Sequence, residues 1–175
     1  MIKKYPFPLE SDLKKELNEK VKSYLNCTYT TENVNITILN EYPDVLYKLK
    51  KVLERYVDTN IFNFNLAKSW GCLNTVNTPD TRLHGHGYCH FGFVFYTAKN
   101  ETSNIVFKDL NNLEFEVKAS ENEIIVFPGY LMHYIRGGNT EDRISFAGDI
   151  LVTYKETPEQ NYSEYLTPIQ TWIQL

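Results

Sequence analysis

LHGHGYCHFGFVFY, residues 83–96, is the stretch on which the reading of this chain turns. Two histidines, His84 and His86, alternate with Gly85 and Gly87, and the following run from His90 to Thr97 is rich in Phe, Val and Tyr, as a β-strand requires. In an extended segment residues i and i+2 point to the same face, so His84 and His86 can present two imidazoles to one ion. The alternative is an exposed turn in which both rings bond locally.

Outward from that stretch, the chain from Ile61 onward consists of short runs of Phe, Val, Ile, Tyr and Thr. They are divided by turn residues such as Asn77-Thr78-Pro79-Asp80, Asn111-Asn112 and Arg136-Gly137-Gly138-Asn139. The expected strands are Phe62 to Trp70, Arg82 to His86, His90 to Thr97, Asn104 to Lys108, Leu113 to Lys118, Glu123 to Phe127, His133 to Ile135 and Arg143 to Thr153. About eight strands in this length suggest a small barrel or jelly roll.

The N-terminal part reads differently. From Ser11 to Asn26, Leu13, Leu17, Val21 and Leu25 recur at every fourth position, forming one buried helical stripe that Ser11 can cap. Pro43 to about Val57 predicts a second helix, with Pro in its first turn and Val45, Leu49, Val52, Leu53 and Tyr56 on one face. The expected organisation is a single domain over residues 1–175: helical support over 1–60, β-structure over 61–153 and a C-terminal arm over 154–175. For that arm a covering segment, a final helix and a homodimer contact all stay open.

The 175 residues are 42% hydrophobic and 23% charged, an ordinary composition for one globular core. A formal net charge of -4 offers no general attraction to a polyanion, so nucleic acid is not expected as a partner. No apolar run is long enough for a membrane span and the N-terminus lacks a signal-peptide stretch, so a cytoplasmic protein is expected. Cys27, Cys72 and Cys89 have neither zinc-knuckle nor redox-pair spacing and read as reduced thiols.

Two further motifs carry chemistry. In NEIIVFPGYLMH, residues 122–133, a strand ends in Phe127-Pro128-Gly129 and turns, so that His133 opens the next strand and offers a third ligand. His90 competes for that place, with a histidine bonded to a neighbour as its ordinary role. Ten residues beyond His133, Arg143 and Ser145 share a strand face. A guanidinium with a neighbouring hydroxyl forms a cradle for a small dicarboxylate, and the alternative is a surface Arg paired with Glu141 or Asp142.

In their order and spacing, Ser69-Trp70, His84-Gly85-His86, Phe127-Pro128 with His133, and Arg143-Ile144-Ser145 resemble the Fe(II)/2-oxoglutarate-dependent oxygenases, in particular small bacterial and phage members. The resemblance covers roughly residues 60 to 152. It implies a mainly β fold with N-terminal helices around a double-stranded β-helix core of the jelly-roll, cupin-like kind. It makes His84 and His133 iron ligands and puts His86 where the family usually has Asp or Glu. Arg143 and Ser145 would hold the distal carboxylate of 2-oxoglutarate, with Tyr96 bonded to the same co-substrate. Asn74 would reach its other carboxylate or the substrate, unless it serves a turn.

The substrate implied is a small molecule or an amino-acid or peptide side chain, most commonly hydroxylated. Three imidazoles lack the negative charge of a two-histidine, one-carboxylate set and also suit Cu or Zn. Two rivals therefore accompany this reading: a cupin-type three-histidine metalloenzyme without 2-oxoglutarate, and a barrel that binds a ligand without catalysis.

Overall fold

A computed structural model of the chain describes residues 2–24, 37–98, 104–118, 120–138, 140–155 and 173–175. In chain order its elements are β1 (Lys3–Pro6), α1 (Ser11–Tyr24), a short 3-10 turn (Ile38–Glu41), α2 (Pro43–Leu53), β2 (Phe62–Asn74), β3 (Phe91–Tyr96), β4 (Ile105–Lys108), β5 (Glu114–Val117), β6 (Glu123–Pro128), β7 (His133–Ile135), β8 (Arg143–Tyr154) and β9 (Ile173–Gln174). A six-stranded sheet runs in the order β1-β6-β3-β8-β2-β9 and faces a three-stranded sheet in the order β5-β4-β7, with every pairing antiparallel. This is the expected mainly β jelly roll with helices on its N-terminal side.

The large sheet is covered on both faces. On one, Phe93, Phe95, Ile124, Val126, Ile144 and Phe146 pack with Leu17 and Val21 of α1 and Val45, Leu49 and Leu53 of α2. On the other, Val94, Tyr96, Ile125 and Phe127 meet Ile105 and Phe107 of the small sheet. Burial on two sides explains why β3 and β6 read as nearly continuous apolar runs.

β2 changes its facing residues midway. Phe64 and Leu66 join the helix-covered core, whereas Trp70, Cys72 and Asn74 line the opposite cavity. The shift of register against β8 between Leu66 and Lys68 causes the change, because one extra residue reverses the alternation beyond it. Ser69, now on the helix side, accepts the Leu39 N–H at 3.0 Å and ties the 3-10 turn to the sheet.

Several expectations are corrected in detail. The segment Arg82 to His86 forms an isolated bridge at His84 instead of a strand, since the His86 N–H turns away to the Gly129 carbonyl at 2.7 Å. α2 stops at Leu53, where Arg55 and Tyr56 donate to Val52 and Leu53 in a tighter three-residue pattern. Ser11 already lies within α1, and the first helical bond goes from the Lys14 N–H to the Glu10 carbonyl at 2.9 Å, which gives Glu10 the capping place. β1 was not anticipated: two lysines and a proline obscure its pattern, a composition suited to a sheet edge. In the C-terminal arm, β9 pairs with Asn65 and Leu66 of β2 at the other edge. Leu25, Asn26 and Cys27 lie outside the described residues, while Cys89 is a buried free thiol.

Candidate metal centre

The site lies between the two sheets, where the His84 bridge meets β7. The His84 N–H donates to the His133 carbonyl at 2.9 Å and the His133 N–H to the His84 carbonyl at 2.7 Å, fixing the two rings 4.5 Å apart. His86 follows on the turn anchored to Gly129. A β-carbon at Gly129 would stand 2.3 Å from the Cys89 carbonyl oxygen and 2.7 Å from that of His86, so only glycine lets the two turns approach this closely.

His84, His86 and His133 each offer a ring nitrogen such that all three lie within 4.8 Å of one another. Their hydrogen bonds indicate which nitrogen that is. Nδ1 of His84 lies 2.7 Å from the Arg82 carbonyl, Nδ1 of His133 lies 3.0 Å from the Leu131 carbonyl, and Nδ1 of His86 lies 2.9 Å from Oδ1 of Asp149. Carbonyl and carboxylate oxygens accept, so Nδ1 donates in each ring and the lone pair of the neutral imidazole rests on Nε2. All three rings thereby leave Nε2 as the atom that could coordinate an ion.

Burial holds His133 far below the usual imidazole range, at about 3, so it is neutral at physiological pH. Aromatic neighbours restrict the rings further. Trp70 stacks on His86 with centroids 5.5 Å apart and planes 18° apart, and Phe127 stands edge-on to His133 at 4.8 Å.

Arg143 lies on the same side of the large sheet at the end of β8. It is 1% exposed, so the surface-pair alternative fails. Its Nη2 donates to Asn74 Oδ1 at 2.7 Å, across the last register pair between β2 and β8. Asn74 thus grips the guanidinium from the neighbouring strand. Tyr96 carries that guanidinium over its ring face, Cζ being 5.6 Å from the centroid. Burial lowers the Arg143 pKa and raises that of Tyr96 to about 12. The Tyr96 hydroxyl has no hydrogen-bond partner among the described residues. Ser145, two residues along β8 and also buried, opens onto the same cavity as Arg143 and the three histidines.

That cavity measures about 550 Å³, within the usual range for small-molecule sites. His90 is not part of it. It is exposed, and its Nδ1 accepts the Val152 N–H at 3.1 Å, which pins the start of β3 to β8. The sequence reading missed Asp149 and Tyr88. Asp149 had a visible signal: it shares strand parity with Arg143 and Ser145 inside an otherwise apolar run.

No protein-family model matches the sequence, and no curated protein does. The fold does match solved structures. The non-heme alpha ketoglutarate dependent carbocyclase SnoK from nogalamycin biosynthesis is 8% identical, with a TM-score of 0.66 over 95% of this chain and 87% of that one. A prolyl-4-hydroxylase of Pseudomonas putida is 12% identical, with a TM-score of 0.56 over 85% of this chain and 91% of that one. HygX of Streptomyces hygroscopicus, with nickel and 2-oxoglutarate bound, is 11% identical, with a TM-score of 0.63 over 85% of this chain and 81% of that one. The fold is therefore the double-stranded β-helix of the Fe/2-oxoglutarate oxygenases.

Proposed function

We propose that this protein is an Fe(II)- and 2-oxoglutarate-dependent oxygenase that couples oxidative decarboxylation of the oxo-acid to hydroxylation of a small molecule or an amino-acid or peptide side chain. One observation carries the reading: three preset Nε2 donors and a buried, braced guanidinium open onto one cavity on this fold. Arg143 with Ser145 suits the distal carboxylate of a dicarboxylate. Asn74 sets the angle of Arg143. Tyr96 supports its flat face.

The residues fit a metal. With their Nδ1 positions occupied, the three rings leave Nε2 for an ion, and His84, His86 and His133 would hold it. Bound there, Fe(II) would activate O2, with oxidative decarboxylation of the oxo-acid supplying two of the electrons. The chain's own part is to orient the co-substrate through Arg143 and to keep bulk water from the rings with Trp70, Phe107 and Phe127. A three-histidine enzyme without 2-oxoglutarate would share the metal set but give Arg143 no role.

Anaerobic titration of Fe(II) and 2-oxoglutarate tests the reading. A metal-to-ligand charge-transfer band is expected with the native protein and its loss with Arg143→Ala. No band with the native protein would reject it. Succinate release screened against amino acids, peptides and small metabolites then identifies the substrate class.

A further inference from the structure

Asp149 is 0% exposed, in the middle of β8. Three groups bond its carboxylate: His86 Nδ1 at 2.9 Å and, more weakly, Cys89 Sγ at 3.8 Å on Oδ1, and the Tyr88 hydroxyl at 2.5 Å on Oδ2. Among the described residues no lysine or arginine pairs with it. A fully buried carboxylate without a cation is strongly disfavoured, and the place where positive charge belongs is one imidazole away. The other two rings give Nδ1 only to backbone carbonyls. Among the described residues, His86 is thus the one ring of the three with a carboxylate behind it.

We propose that Asp149 is the positioning and charge-compensating residue of the metal centre, acting through His86. Three imidazoles bring no negative charge of their own to a divalent cation, and Asp149 supplies one on the far side of the His86 ring. By accepting the Nδ1–H it fixes the tautomer and plane of His86 and strengthens Nε2 as a donor to a divalent cation. Tyr88 covers the second oxygen from the solvent side. Gly92, the β3 partner of Asp149, leaves room beside it for the Phe127 ring, 2.5 Å from where a β-carbon would stand. The three-histidine set thus recovers the charge balance of a carboxylate-bearing one. This inference rests on the metal-centre reading above.

Co(II) is the probe, its affinity followed by calorimetry and its ligand field by visible absorption, in the native protein, Asp149→Asn, His86→Ala and the double variant. Asn keeps the shape and an acceptor oxygen, so Asp149→Asn should weaken Co(II) binding about tenfold to a hundredfold while the apo melting curve moves little. In the His86→Ala background the same change should cost nothing further. Binding within about twofold of native, or an equal loss without His86, would overturn the proposal. Should Asp149→Asn fail to fold, the native apo protein still decides: a deshielded, slowly exchanging Nδ1 proton that disappears in His86→Gln supports the bond, and its absence refutes it. Native protein that binds no Co(II) sinks the metal reading itself. Native binding with an indifferent Asp149→Asn sinks only this one.

Discussion

The two faces of β8 are built from alternate residues of one strand yet obey opposite rules. Facing the helices are Ile144, Phe146 and Ile150, all apolar and nearly inaccessible. Facing the small sheet are Arg143, Ser145 and Asp149, inaccessible to a similar degree but polar or charged. The first face gains stability from every atom it buries. The second bears the desolvation of an arginine and a carboxylate, which fold stability alone does not favour. The contrast teaches that the helix-covered face carries the fold, while the other face buries polar groups held by partners from neighbouring segments and opening onto the cavity.

The largest expected effect lies on the apolar face. Phe146, fully buried and stacked on Phe95 with centroids 5.2 Å apart, should cost about 3–5 kcal/mol in urea unfolding when changed to Ala. A loss below about 1 kcal/mol would break the division between the faces. On the other face Arg143→Met should weaken 2-oxoglutarate binding by about 1.5–3 kcal/mol, some tenfold to a hundredfold. Its effect on apo stability should be much smaller than that of Phe146→Ala. Titration calorimetry and unfolding of the same preparation separate the two quantities.

A third test uses pH on the metal-free protein. Unfolded His133 titrates near 6.5, whereas burial holds the folded ring at about 3. Between those values the unfolded chain binds the extra proton, so the folded state loses stability as pH falls through that window and carries no such penalty above it. Unfolding midpoints should therefore drop from about pH 7.5 to about pH 5, by an amount on the order of 1–2 kcal/mol. His133→Gln should flatten this slope. The smallest effect is expected at His90, exposed and outside the cavity: His90→Gln should cost less than about 1 kcal/mol, through the bond from Val152, and leave metal affinity unaltered.

Much of the site was legible because its signals are local. The i, i+2 spacing of His84 and His86, the turn before His133 and the shared parity of Arg143 and Ser145 each depend on only a few residues. Asn74 drew attention for a different task; its place opposite Arg143 depends on β2 running on through Asn74 after its bulge, which no residue type announces. Asp149 stood in view on β8, yet its role needs the turn at residues 86–90 to bring His86 and Tyr88 onto it. A sequence shows parity along a strand but not which loop folds over it.

Taken alone, the sequence determined the helical N-terminal part, the β-strand succession after Ile61 and the residue types able to bind a metal and an anion, because periodicity and short motifs record local backbone preference. Tertiary structure decided the rest: that segment 82–86 is a single bridge, that His90 stays outside, and that a buried carboxylate stands behind His86. These depend on contacts between residues about fifty to sixty positions apart, and such pairings are set by how whole sheets close on each other.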